Sequence, residues 1–491
     1  MGDAVAKGNR MRVAIIGAGF SGISAAVALT RRGITDYVMF EESNGIGGTW
    51  WKNRYPGAEV DLESHIYSFS YERNDWTRVY AWWYELQEYL DRVARTRGIL
   101  KHVRFGTRVV SAEWSEQDHA YVVSTSGGTA TELFDAVVSA VGFLNIPLMP
   151  PFARGEVAYL GALCHTSAWP EGLSMEGKSV AVVGTGSSAV QVVEVAEREA
   201  SHLTIFQLEP NWILPKNSRD FSQSERRWSG LAPVYYWKRL KLYVGYDLRQ
   251  RNSQHARLDG RGNQKRRTAA LEYLQSSLVD RPDLIPVVTP EFPFEGRRTV
   301  ISDTYYQLLK SPKVTLVPHA VTQLTATGVE DAAGEKHDFD IVVLATGFDA
   351  ANYLSTFTVK GEDGKDLHEA WGGEPEAFLG LMVPGFPNFF MMYGPNTNAV
   401  PLVSFYQAQA AFIAKVLNHV RSRHLSSVKV KPEAHRRYNT RLQQQLAKTV
   451  WAQTSSYFRS GTGKVVSQWP YSASRYILST KAAPYTSVEY S

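Results

Sequence analysis

The sequence predicts an α/β fold built on two Rossmann-like dinucleotide-binding domains. Two glycine-rich turns each follow a short apolar run and precede helical periodicity. An acid ends the strand after the first turn, and a chain of 491 residues has room for more than one such unit.

In the first unit, Val13 to Ile16 are apolar without alternation, as in a strand buried on both faces. Gly17, Gly19 and Gly22 follow as GxGxxG with Ser21 among them, and Ile23 to Leu29 keep helical spacing. The glycines serve a tight turn, close approach to a pyrophosphate and helix-on-strand packing, while the helix start offers N–H groups to an anion. A second strand, Tyr37 to Phe40, ends at Glu41, where an acid takes a ribose hydroxyl.

The second unit repeats the order: strand Ser179 to Val183, turn Gly184-Thr185-Gly186-Ser187-Ser188-Ala189, strand Leu203 to Phe206, then Gln207. Ala189 is small enough for the third glycine's place. Two dinucleotide folds in one chain imply two dinucleotides, and the pair able to pass a hydride is a flavin and a nicotinamide.

Other chemistries lack their signatures. A single cysteine, Cys164, excludes an intramolecular disulfide, a CxxC redox pair and an all-cysteine metal site. HExxH, GxSxG and GxxxxGK[ST] are missing, so zincin, hydrolase-elbow and P-loop readings fall away, and no metal is expected. The first residues carry no apolar signal core. The apolar stretch Phe378 to Tyr393 is interrupted by Pro384, Gly385 and Pro387 and is shorter than the ~20 residues of a membrane span. A cytoplasmic protein without stable membrane insertion is expected.

After Glu41 the chain reads Gly47-Gly48-Thr49-Trp50, then Asn53-Arg54-Tyr55-Pro56-Gly57-Ala58, Asp61 and Ser64-His65. This segment resembles that of the flavin-dependent type I Baeyer-Villiger monooxygenases. Their fingerprint FxGxxxHxxxW is similar to Tyr159, Gly161, His165 and Trp169-Pro170, with Tyr in place of Phe. Pro293 through Arg297-Arg298, Ala345-Thr346-Gly347-Phe348 and the run from His368 to Asn396 extend the likeness, which is weakest from about 216 to 282.

The resemblance implies an FAD domain from 1–146 and 350–491, a nicotinamide domain from 152–215 and 286–345, and a helical insert, 216–285. It implies FAD, NADPH and O₂, and insertion of one oxygen next to a ketone carbonyl through a C4a-peroxyflavin, giving an ester or lactone. Oxygenation of sulfur or nitrogen, and uncoupled NAD(P)H oxidation, stay open as alternatives. Arg298 takes the place of the family's active-site arginine and Asp61 that of the carboxylate that positions it. Gly48, Thr49, Trp50, Asp61, Tyr67 and Val109 join the first turn as flavin-site residues; Ser187, Ser188, Gln207 and Arg297 join Gly184 and Gly186 at the nicotinamide. His165 reads as a hinge element ahead of a proton carrier, Trp169 as packing, and Trp82-Trp83 as core or lid ahead of a substrate channel.

Two departures bear on the nicotinamide. Where the family carries an arginine for the 2′-phosphate, this chain has Leu208, followed by Glu209. A carboxylate repels a phosphate and accepts from a free ribose hydroxyl. Arg297 and, more weakly, Lys216 are candidates to compensate; otherwise NADPH preference is weakened or reversed toward NADH. Ser456 stands where the family often has a lid tryptophan.

The net charge of +5 is concentrated. Residues 225 to 268 hold 12 Lys/Arg against 3 Asp/Glu, interleaved with Tyr235, Tyr236, Trp237, Tyr243 and Tyr246. Solvated helix faces with aromatic undersides are expected, and transient membrane-surface contact is the alternative. No nucleic-acid reader motif accompanies the charge. The sequence carries no signal for an oligomeric state.

Overall fold

The computed structural model describes residues 10–128, 131–155, 158–251 and 254–491. The chain passes through β1 (Val13–Ile16), α1 (Phe20–Arg31), β2 (Tyr37–Phe40), β3 (Val103–Arg104) and β4 (Ala136–Ser139). It then leaves for β5 (Ala162–His165), β6 (Ser179–Val183), α2 (Ser187–Glu199) and β7 (His202–Phe206). After α3 (Ala232–Gln250) and α4 (Arg261–Ser277) come β8 (Val314–Val317) and β9 (Ile341–Leu344), and the chain returns for β10 (Phe389–Met391), α5 (Leu402–Ser422) and α6 (Ala473–Thr486).

Two five-stranded sheets result, ordered β10-β4-β1-β2-β3 and β8-β7-β6-β9-β5. Both are parallel throughout, with Val13 opposite Tyr37 and Ala136 in the first and Val180 opposite Leu203 and Ile341 in the second. Every residue of β1 and β9 is buried, so their uninterrupted apolar runs match strands covered on both faces. Phe389–Met391, inside the long apolar stretch, is the outer strand beside β4.

The first core joins Ile15, Val138, Phe390, Phe412 and Leu417, so helix α5 closes the first sheet from 260 or more positions downstream of β4. Each such fully buried side chain contributes about 1.5–3 kcal/mol. The second core gathers Val180, Val192, Ile205 and Val343. The helices of the 216–285 segment divide between them: Tyr235 of α3 lies in the first core, Leu274 of α4 in the second.

Paired connections link the sheets. Leu148 N donates to Gly347 O (2.9 Å), Asp349 N to Ile146 O (3.0 Å), and Thr346 Oγ1 to Leu148 O (2.7 Å). Outgoing and returning chains thus run side by side. No helix among the described residues is long and apolar enough to cross a membrane.

Candidate functional site

The two glycine turns are built alike. Gly17 has φ +105° and Gly184 φ +123°, and a Cβ would stand 2.7 Å from Ala140 O on the first and 2.6 Å from Ala345 O on the second. In each case the obstructing carbonyl follows the neighbouring parallel strand, so only glycine lets strand and helix close over the turn. Both turns open into one cavity of about 1930 Å³.

Around the first turn, the buried Glu41 accepts from Ala18 N and Ser43 N, each at 2.8 Å, and so braces the loop at the place where a ribose edge would lie. Ser21 Oγ donates to Ala140 O at 3.2 Å. Gly48 backs directly onto Gly19, and a Cβ on Gly48 would stand 3.0 Å from Gly19 Cα, which leaves a side-chain-free cradle at the start of α1. Trp50 Nε1 donates to Tyr67 OH at 3.3 Å, and both residues line the cavity with Thr49 and Val109.

At the second turn, Ser187 Oγ is buried at the start of α2 with no hydrogen-bond partner. Exposed amides at a helix start beside an orphaned hydroxyl fit a phosphate-bearing group. Gly186 and Ser188 line the same mouth. Gly22 and Gln207 do not line it. Gly22 sits where α1 presses on its own turn, and the Gln207 amide donates to Val287 O at 2.9 Å.

Between the turns, Arg298 Nη2 donates to Asp61 Oδ2 at 2.8 Å. The short strand Val300–Ile301 pairs with Ile213–Leu214, which brings Arg298 from the second unit to the segment following the first. Its side chain is 48% exposed, the exposed part facing the cavity, while Asp61 is largely covered. Burial works against the guanidinium's charge, but Asp61, Tyr457 and Tyr393 outweigh it and hold the group above its ordinary range. The surrounding phenols stay protonated: burial pushes Tyr67 up to about 12, and raises Tyr457 and Tyr393 as well.

Both candidates to compensate for Leu208 line the cavity and have an acidic partner. Arg297 is ion-paired with Glu209, and its Nε donates to Ser455 O at 3.1 Å. Lys216 is buried, 2.7 Å from Glu59 and stacked over Tyr80, because Glu59 needs a counter-charge inside the protein. Leu208 itself is exposed. Thr185 Oγ1 donates to Glu209 O at 2.8 Å and fixes that acid beside the glycine turn.

His165 Nε2 donates to Gly347 O (3.1 Å), and its Nδ1 accepts from Ser167 N (3.1 Å). Burial lowers its pKa, so a neutral ring ties β5 to the returning connection. The fingerprint's Tyr159 turns its extra hydroxyl onto Phe339 O at 2.7 Å. Trp169 packs on the second core, as does Trp83, and Trp82 lies under Arg78; none lines the cavity.

The motif segment after Glu41 also makes a contact that its spacing does not announce. The Tyr55-Pro56-Gly57 segment clasps α2: Tyr55 OH donates to Gln191 Oε1 at 2.7 Å and Gln191 Nε2 donates to Glu59 O at 3.0 Å. Tyr457 joins Arg298 from the segment that carries Ser456.

Residues 10–222 match the flavin-binding monooxygenase-like family. The chain is 32% identical over 489 residues to an FAD-binding monooxygenase of Aspergillus niger, covering 95% of this chain and 79% of the relative. It is 33% identical over 470 residues to a Baeyer-Villiger monooxygenase of Streptomyces coelicolor, covering 94% and 89%. The crystal structure of cyclohexanone monooxygenase from Rhodococcus sp. Phi1 bound to NADP+ superposes with a TM-score of 0.87 at 28% identity, over 99% of both chains.

Proposed function

The chain belongs to the flavin-binding monooxygenase-like family, in its Baeyer-Villiger branch, and from that premise we propose that it inserts one oxygen atom of O₂ next to a ketone carbonyl, giving an ester or lactone. The observation that carries this reading is the Arg298–Asp61 pair, set in one cavity between two dinucleotide turns.

FAD fits the first turn, with Glu41 at the ribose, the Gly19–Gly48 cradle at the pyrophosphate and Trp50, Tyr67 and Val109 as cavity wall. A nicotinamide dinucleotide fits the second, at Gly184, Gly186, Ser187 and Ser188. On this assignment 1–146 with 350–491 form the FAD domain, 152–215 with 286–345 the nicotinamide domain, and 216–285 the insert. Bound flavin accepts hydride from the nicotinamide and activates O₂.

The chain's own residues do the rest. Arg298 keeps a permanent positive charge where oxygen anions develop, and its high affinity for its protons means it stabilises them without protonating them. Asp61 fixes the direction of that guanidinium. Tyr67, Tyr393 and Tyr457 supply protonated phenols and an aromatic wall that displaces water. NADPH is the family's reductant; the Glu209–Arg297 pair favours a weakened preference for it, with NADH accepted.

Product analysis of a ketone panel under ¹⁸O₂ with each nicotinamide tests the reading. One labelled oxygen in an ester or lactone is the expected result. Oxidation confined to sulfides or amines, or peroxide without ester, would replace it with one of the alternatives.

A further inference from the structure

Helix α3 is amphipathic in the reverse of the usual sense. Its inward side carries Tyr235, Arg239, Tyr246 and Gln250, whose polar atoms are engaged by the body: Arg239 Nη1 donates to His65 O (2.8 Å), Tyr246 OH to Glu63 (2.6 Å) and Gln250 Nε2 to Val400 O (2.7 Å). Its outward side shows Trp237 at 62% exposure, Leu240 at 58% and Leu248 at 61%, with Tyr236 and Val244 also exposed. Positions 237, 240, 244 and 248 form one stripe at helical spacing. Trp228 and Leu231, just before the helix, are exposed as well. A soluble helix normally turns such a stripe inward, and a contiguous exposed apolar patch marks a contact surface.

Charge identifies the partner. Exposed Arg227 and Lys241 flank the stripe, while Arg249 lies over the inward ring of Tyr246. The one acid between 227 and 251, Asp247, accepts from Ser474 N of α6 at 2.7 Å and so faces the body. A second copy meeting this stripe face to face would set cations against the same cations. An anionic bilayer instead takes the tryptophans and leucines below its headgroups and the cations at the phosphates. We propose that α3, with Trp228 at the end of the preceding helix Gln223–Gly230 and Leu231 after it, is a peripheral docking surface for anionic phospholipid.

Docking has a consequence for substrate supply. Tyr246 and Gln250, at the far end of the same helix, line the catalytic cavity. A membrane-dissolved apolar ketone therefore arrives beside the cavity wall. This step rests on the ketone reading above, whereas lipid binding is measured without turnover, so the two fail separately.

The test is co-sedimentation of the FAD-loaded protein with vesicles of equimolar phosphatidylglycerol and phosphatidylcholine, against phosphatidylcholine alone. Most of the protein is expected in the anionic pellet and little in the neutral one. Lys241→Glu should lower partitioning about fivefold or more. Trp237→Ser with Leu240→Ser should abolish it while NAD(P)H oxidation in detergent-free buffer is unchanged. Equal sedimentation of these variants, no sedimentation with anionic vesicles, or a dimer in light scattering that Trp237→Ser with Leu240→Ser dissolves would overturn the proposal.

Discussion

Arg298 and Asp61 stand 2.8 Å apart although 237 positions separate them in the chain. One belongs to the strand connection of the second nucleotide unit, the other to the loop after the first. Both line the cavity into which the two turns open, and their contact depends on both sheets being in place.

Removing that cation should separate the two half-reactions. Arg298→Ala is expected to leave anaerobic flavin bleaching by nicotinamide largely intact and to cut ester formation by about 10²–10³-fold, the cost of losing one oxyanion donor. Arg298→Lys restores charge but not the planar fork, so it recovers only part of the loss. Stopped-flow reduction combined with product chromatography reads both effects. Parallel loss of bleaching and ester would assign Arg298 to nicotinamide binding instead.

Glu209 makes the nicotinamide preference adjustable. In the native chain it neutralises Arg297, next to the exposed Leu208 that stands where the family carries an arginine. Leu208→Arg with Glu209→Gln supplies one cation and frees another. A charge-assisted hydrogen bond is worth about 1.5–3 kcal/mol, so the ratio of Kd values for NADH and NADPH should move about ten- to a hundredfold toward NADPH. Fluorescence titration of the oxidised protein measures this without turnover, and an unmoved ratio would show that the phosphate lies elsewhere.

The two nucleotide units were legible because glycine's constraint is local: a turn that meets Ala140 O or Ala345 O admits no other residue, and the pattern is written in consecutive positions. Asp61 and Arg298 were legible only through motif likeness, since nothing in spacing brings them together. Lys216 and Arg297 show what sequence hides. Both read as candidate phosphate cations, and nothing in their neighbours along the chain announces that one is drawn inside by Glu59 and the other paired with Glu209, partners distant in the sequence. Gln207 follows the strand in the place of a cofactor contact, but its amide turns to Val287. Helix α3 illustrates a further limit. Periodicity separates its two faces, but only Glu63, the carbonyls of Val400, His65 and Ile66 and the Ser68 hydroxyl decide that the polar one is buried.

Cys164 should be silent toward thiol chemistry. It lies in β5, buried, and burial pushes its pKa up to about 12. At pH 8 a thiolate fraction of about 10⁻⁴ and a covered sulfur both oppose attack. The native protein is expected to react negligibly with a disulfide reagent, and to release one equivalent of thiol once unfolded. Rapid native labelling would mean that β5 opens readily from its sheet.

Acid sensitivity should trace in part to His65. The ring is buried against Phe221 and Tyr235 with Nε2 unpartnered, and burial, followed by Lys238 and Arg239, lowers its pKa to about 4. The unfolded value is about 6.5, so between the two the unfolded chain binds the extra proton. The stabilising contribution is therefore complete above about 6.5 and is lost as pH falls toward 4, by roughly 3 kcal/mol at most. His65→Phe keeps an aromatic ring among aromatic neighbours and removes the titration. Urea midpoints measured from pH 7 down to pH 5 should fall less steeply in the variant than in the parent, and identical slopes would place the acid lability at other groups, such as the buried His165 that bridges to Gly347.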